Sequence, residues 1–204
     1  MTMEKENKIA IMETFYSLQG EGLHSGRAAY FIRTAGCPVR CEWCDVKESW
    51  NVGDFPRLSP SEIVEKIPSC VNMSVITGGE PLIWNLSELN LLLRKRGIRV
   101  HLETSGCMEI KREDWDWVCI SPKKSRLPLD ETLLAADELK VVISTADDFI
   151  WAEENAVKVS ETCALLLQPE WEKRADILPL ICEYVKRNPK WRLSLQTHKY
   201  INVP

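Results

Sequence analysis

From residue 59 onward short apolar runs alternate with amphipathic segments, and that alternation limits what the chain can fold into more than any other feature. Ser59-Pro60-Ser61-Glu62 is a capping box with proline at the first helical position, so a helix starts there. Asn72 to Ile76 reads as a buried strand, Asn85 to Arg96 as an amphipathic helix stopped by Gly97, and Ile98 to Leu102 as the next strand. Further strands are expected at Trp117 to Ile120, Leu139 to Ile143, Cys163 to Leu167 and Trp191 to Leu195. Helices are expected around Glu131 to Ala136, Ala146 to Asn155 and Ala175 to Arg187. Parallel neighbours need a long crossover, so repeated βα units predict a parallel sheet with helices outside. The expected fold class is α/β. About six units, fewer than a full eightfold barrel holds, give a partial (β/α) barrel of about six parallel strands with outer helices. A short N-terminal strand segment, Ile9 to Phe15 and Ala28 to Thr34, precedes it. No Pro/Gly/Ser-rich linker or charge block divides the 204 residues, so one domain is expected over 1–204.

The polar residues fall in phase with this pattern. Ile76 is followed by Thr77-Gly78-Gly79-Glu80-Pro81, Leu102 by Glu103-Thr104-Ser105-Gly106, and Ile120 by Ser121-Pro122-Lys123. Leu167 is followed by Gln168-Pro169-Glu170, and Leu195 by Gln196-Thr197-His198-Lys199. In a parallel barrel the C-terminal strand ends share one face, and that face binds ligands. Taken singly each cluster is ordinary turn composition; together they predict one site. Gly78 and Gly79, lacking a Cβ, let backbone approach the amino and carboxylate groups of an amino-acid-like ligand, and Glu103 reaches its charged or hydroxyl groups.

Between the second early strand and this region lies Ala35-Gly36-Cys37-Pro38-Val39-Arg40-Cys41-Glu42-Trp43-Cys44-Asp45. Its CxxxCxxC spacing can close three thiolates around one iron-sulfur cluster. Protein-bound 4Fe-4S clusters normally take four thiolates, so a triplet without a fourth close partner leaves one iron open to a small molecule. A zinc knuckle or three unrelated buried thiols remain alternatives. Zinc prefers four protein ligands in a structural site, and no histidine lies close to the triplet.

Composition narrows the class. The formal charge of −4 argues against a nucleic-acid footprint, no apolar run approaches membrane-spanning length, and the segment Met1 to Lys8 is polar, with no secretory apolar stretch. A cytoplasmic protein is expected, and its eight cysteines read as reduced thiols and metal ligands, not disulfides. Cys70, Cys107, Cys119, Cys163 and Cys182 lack metal-ligand spacing and are expected to be small buried side chains.

The triplet, with Trp43 just before its last cysteine, Thr77-Gly78-Gly79-Glu80-Pro81 and Glu103-Thr104-Ser105-Gly106 resemble the cluster motif, the GGE motif and a cofactor-binding segment of the radical S-adenosylmethionine (SAM) enzymes. Phe15-Tyr16-Ser17-Leu18-Gln19-Gly20-Glu21-Gly22, Phe31-Ile32-Arg33, Ser121-Pro122-Lys123, Gln168-Pro169 and Gln196 to Pro204 narrow the resemblance to the 7-carboxy-7-deazaguanine synthases, over about Glu13 to Pro204. That family turns 6-carboxy-5,6,7,8-tetrahydropterin into 7-carboxy-7-deazaguanine on the route to 7-deazapurines such as queuosine, contracting the ring with loss of ammonia.

The resemblance implies a 4Fe-4S cluster on Cys37, Cys41 and Cys44, with SAM chelating the open iron. It implies that Gly79, Glu103, Ser105, Ser121, Pro122, Lys123, Gln168, Pro169, Glu170 and Trp171 line the cofactor. Leu18, Gln19, Gly20, Glu21, Arg33, Thr77 and Pro204 would contact a pterin substrate. The chemistry of several agrees: Arg33 carries a planar fork suited to a carboxylate, while Glu21 and a terminal carboxylate on Pro204 are acceptors suited to a guanidine-like pterin edge. No side chain is assigned an acid/base role. An external electron donor, a homodimer and a magnesium ion against the substrate are also implied. The family's usual threonine after Cys44-Asp45 helps hold that magnesium, but Val46 stands here without a side-chain oxygen, so its ligand is left unknown, with Asp45, Ser49 or water as candidates. An activating enzyme acting on a partner protein would share the triplet and small size, and a simple electron carrier would share only the cluster.

Overall fold

The computed structural model describes residues 7–53 and 55–204; most of the polar segment read above as lacking a secretory apolar stretch, Met1 to Glu6, lies outside them. One nine-stranded sheet runs through the molecule in the order β3-β1-β2-β4-β5-β6-β7-β8-β9. Its strands are β1 (Ile9–Leu18), β2 (Ala28–Thr34), β3 (Arg57–Leu58), β4 (Met73–Gly78), β5 (Arg99–Thr104), β6 (Trp117–Ile120), β7 (Glu138–Ile143), β8 (Ala164–Pro169) and β9 (Trp191–Leu193). β2 pairs in parallel with β4, and parallel pairing continues through β9. The parallel set therefore starts one strand earlier than expected. Ala28–Thr34 is not a mere lead-in but the first parallel strand, because its crossover through the cysteine loop and the first helix is long enough to return beside it. β1 and β3 join antiparallel at the edge.

The helices α1 (Pro60–Glu65), α2 (Ser87–Lys95), α3 (Asp130–Leu134), α4 (Asp148–Ala156) and α5 (Arg174–Arg187) fall in the expected crossovers. The capping box forms: Ser59 N–H donates to Glu62 Oε2 at 2.7 Å while Glu62 N–H donates to Ser59 Oγ at 3.4 Å. Gly97 ends α2 with φ at +73°, a left-handed turn that costs glycine little. A sixth helix, α6 (Thr197–Ile201), and a 3-10 turn at Lys47–Trp50 are additions to the expected pattern.

Strand periodicity sorts the side chains. Ile32, Ile76, Val100, Leu102, Val118, Ile120, Leu139, Val141, Ile143 and Leu167 are buried in one core with Ile63, Leu89, Leu93, Ile177 and Ile181 from the helices. Successive strand residues point to opposite faces, so the alternate positions Arg33, Thr77, Glu103, Lys140 and Gln168 share the other, concave face. Loop 19–27 after β1 folds across this face. Gly22 N–H donates to Ser194 Oγ at 3.0 Å and Thr197 N–H to the Gly20 carbonyl at 2.8 Å, drawing the two sides of the curled, open sheet together.

Cys107, Cys119 and Cys163 are buried as expected, but Cys182 is only half-buried and Cys70 is exposed. Cys70 lies in the turn after α1, outside the sheet core. Among the described residues every cysteine is a free thiol, and no helix is long and apolar enough to cross a membrane.

Candidate active site

The concave face opens into a cavity of about 720 Å³. Its wall is made where the strand periodicity and the strand ends put polar residues: Arg33 on β2, Thr77 and Gly78 on β4, Glu103 on β5, Ser121 and Lys123 after β6, Lys140 on β7, and Gln168, Pro169, Glu170 and Trp171 on and after β8. Leu18, Gln19, Gly20 and Glu21 contribute from the loop after β1, and Pro204 from the end of the chain. Pro122 does not join them; it is buried between Ser121 and Lys123, which do line the cavity. Pro204 is exposed at the rim, its main-chain oxygen accepting from Ser17 Oγ at 2.8 Å, so it lines the mouth of the cavity without being enclosed.

The cysteine loop leaves β2 and closes one side. Gly36 N–H donates to the Ser49 carbonyl at 2.7 Å and Cys37 N–H to the Trp50 carbonyl at 3.0 Å, which seats the loop on the Lys47–Trp50 turn. Glu80 N–H donates to the Gly36 carbonyl at 2.8 Å, tying the loop to the end of β4. A Cβ at Gly79 would stand 2.3 Å from Gly36 O and 2.9 Å from Ser49 O. The close approach that requires glycine here is thus to the cysteine loop's own backbone. Cys37, Cys41 and Cys44 are half-buried thiols on the cavity wall. They do not converge on one point where a single metal ion would bind, and no group of three ligands elsewhere among the described residues does so. Three soft donors spread around one loop beside an open space suit a cubane, whose irons each take a separate thiolate, and do not make a closed zinc site. Burial pushes the Cys41 thiol up, with the neighbouring Lys123 ammonium acting against it.

Glu80, which sequence reasoning left out of the site, is the fastener of the adjacent strand ends. It is 1% exposed and accepts from Thr104 Oγ1 at 2.6 Å, from Ser105 N–H at 3.0 Å and from Ser105 Oγ at 2.5 Å. Ser105, expected to face a cofactor, therefore commits its hydroxyl hydrogen to Glu80. Glu170 likewise accepts from the N–H groups of Glu172 and Lys173 at 3.0 and 3.1 Å, capping the turn before α5. Arg33 donates through Nε to Glu13 at 2.7 Å and lines the cavity.

The floor carries charge. Lys140 Nζ pairs with Glu21 Oε2 and lies 3.8 Å from Glu103 Oε2. Gln19 Nε2 donates to Glu103 Oε1 at 2.8 Å, and Glu21 N–H to Gln19 Oε1 at 3.1 Å. Gln196 Nε2 donates to Glu21 Oε1 at 2.9 Å. Burial would raise the Glu21 carboxyl, but the Lys140 ammonium and the Gln196 amide overcome it and hold the group well below the usual carboxylate range. Lys140 resists the downward push of burial because Glu103 and Glu21 face it. Lys140 was missed in the sequence, although a lysine within Glu138-Leu139-Lys140-Val141-Val142-Ile143, otherwise an apolar strand after its first residue, was the available signal. At the rim, Lys199 of α6 bonds Asp45 of the cysteine loop at 3.0 Å and stands 4.8 Å from the Trp171 ring, whose interactions include the Arg174 guanidinium at 3.9 Å.

Comparison with known proteins agrees with this geometry. Residues 31–125 match the Radical SAM superfamily. The chain is 50% identical over 204 residues to a 7-carboxy-7-deazaguanine synthase of Flavobacterium psychrophilum, covering 100% of this chain and 97% of the relative. It is 46% identical over 194 residues to the synthase of that name from Synechocystis, covering 95% and 92%. The structure superposes on that described as the crystal structure of QueE from Escherichia coli with a TM-score of 0.81 at 30% identity, covering 94% of this chain and 95% of that one. The chain belongs to the 7-carboxy-7-deazaguanine synthase family of the radical SAM superfamily.

Proposed function

We propose that the protein converts 6-carboxy-5,6,7,8-tetrahydropterin to 7-carboxy-7-deazaguanine, releasing ammonia. The observation that carries this reading is a single cavity onto which the three thiols, the strand-end residues of β4 to β8 and the carboxylate and guanidinium of Glu21 and Arg33 all open. A 4Fe-4S cluster on Cys37, Cys41 and Cys44 with bound SAM would supply the one-electron cleavage that begins radical chemistry. The overall conversion balances as substrate minus ammonia, with no net oxidation, so the protein's task is placement and exclusion of water. Arg33 offers its terminal nitrogens to the substrate carboxylate. Glu21 and Gln19 offer acceptors to the amino edge of the pterin, and Thr77 offers its hydroxyl between them. Gly79 and Gln168 shape the cofactor side, while Trp171 and the Asp45–Lys199 contact cover the rim.

For magnesium the residues do not fit. The Val46 side chain carries no oxygen, Ser49 Oγ donates to the Val46 carbonyl at 2.7 Å, and Asp45 is held by Lys199 and Gln196; no step is assigned to the ion. The reading includes an external one-electron donor, a single domain and a homodimer in the cytoplasm. Anaerobically reconstituted protein given SAM, a reductant and the carboxytetrahydropterin is expected to form a product at the substrate mass less ammonia by mass spectrometry. SAM cleavage without any such product would overturn the substrate assignment.

A further inference from the structure

We infer that Lys140 is a positioning residue that holds Glu21 ionised and aimed at the amino edge of the substrate, while tying it to Glu103 on the cofactor side. The inference rests on the proposed pterin site and deepens it. Lys140 projects from the middle of β7 with a side chain 5% exposed, yet it reaches the cavity wall. Its ammonium has two anionic neighbours from two different elements: Glu21 in the loop after β1 and Glu103 on β5. Gln19 completes the circuit, donating to Glu103 and accepting from the Glu21 N–H. A single buried cation therefore fixes three groups of the cavity floor at once, and long-range pairs of this kind hold geometry that a flexible loop alone does not.

The physical need is specific. A carboxylate in a water-poor cavity tends to take up a proton unless an opposite charge faces it, and a protonated Glu21 would present one donor where an amino edge needs acceptors. Lys140 supplies that opposite charge. The other ionisable groups around Glu21 do not replace it. Glu103 and Glu138 carry the wrong sign, Cys119 is a buried thiol, Asp45 is engaged by Lys199, and His198 is held toward its neutral form by burial. Lys123 is half-buried on the cysteine-loop side, its ammonium 5.4 Å from the Trp43 ring centroid and donating to Ser121.

The test is calorimetric binding of the carboxytetrahydropterin to reconstituted, SAM-loaded, unreduced protein, alongside SAM cleavage without substrate. Lys140→Met is expected to weaken pterin binding about ten- to hundredfold near neutral pH, with affinity recovering as pH rises from about 6 to about 9 because Glu21 re-ionises. The native protein should show no such recovery. Lys140→Arg, which keeps the charge, should restore much of the affinity. Because Lys140→Met leaves two half-buried carboxylates without their cation and threatens folding, the Glu21→Gln single variant and the Lys140→Met/Glu21→Gln double variant complete the cycle. Equal affinity in those two variants is expected if Lys140 acts through Glu21; strictly additive losses, or a pH-independent loss in Lys140→Met, would overturn the assignment. Native protein that cleaves SAM but does not bind the pterin would sink the substrate reading instead, and the two failures are therefore distinguishable.

Discussion

Glu21 and His24 sit in the same short loop and face opposite sides of it, and the molecule treats them in opposite ways. Glu21 looks into the cavity, where Lys140 and Gln196 keep it charged. His24 looks beneath the floor, its ring 4.6 Å from both His101 and Trp117. There the Nε2 atoms of both histidines and Nε1 of Trp117 are buried and find no hydrogen-bond partner among the described residues. Burial lowers both imidazoles, with the neighbouring Arg27 and Arg99 guanidinium groups adding to the effect, and His101, 3% exposed, is pushed down to about 3. Burial acts on both sides of the loop. It yields paired charge where a ligand needs recognising and neutral rings in tilted and edge-on contact where the floor only needs closing.

The strongest way to break the cavity side is Cys41→Ala, which removes one of three thiolates. Reductive cleavage of SAM is expected to fall to background, with reconstituted iron lost in parallel, whereas Cys182→Ala, on half-buried α5, should behave as the native chain does. A full cluster spectrum and unchanged cleavage in Cys41→Ala would show that the wall of thiols is not the cluster site. A smaller effect is expected from Glu80→Gln. The amide replaces one acceptor oxygen with a donor opposite the Thr104 and Ser105 donors, at a cost of about 1.5–3 kcal/mol in urea unfolding. An unchanged midpoint would mean that the strand ends hold together without Glu80.

The mildest test is of the neutral floor. A histidine whose folded pKa lies below its unfolded value near 6.5 contributes its full stability above that pH and loses it as pH falls toward the folded value. Stability should therefore drop by about 1.4 kcal/mol per pH unit for His101 once the pH is below about 6. His101→Phe should flatten that part of the profile, since the phenyl ring has nothing to protonate. The same slope in both proteins would show that His101 gains a proton in the folded state, and the contrast between the two sides of the loop would fail.

Much of the architecture was legible because it is local. The Ser59 capping box, the stop at Gly97 and the short apolar runs from Asn72 onward state their structure within a few residues, and the in-phase polar clusters gave the face on which a site would lie. The spacing of Cys37, Cys41 and Cys44 is covalent, so it announced cluster chemistry without any fold. What remained hidden depends on residues far apart in the chain. That Ala28–Thr34 heads the parallel set is decided by its pairing with β4. Glu80 became a fastener only when β5 brought Ser105 to it. Pro122 is buried away from the cavity, and Lys140, a charge amid the apolar residues after Glu138 in its strand, acquired a reason only when Glu21 arrived from 119 positions away. The sequence by itself determined periodicity, caps and ligand spacing, since these follow from bonds and near neighbours. Only the tertiary structure decided which buried groups keep their charge, because that depends on which opposite charges the fold carries into contact where water is scarce.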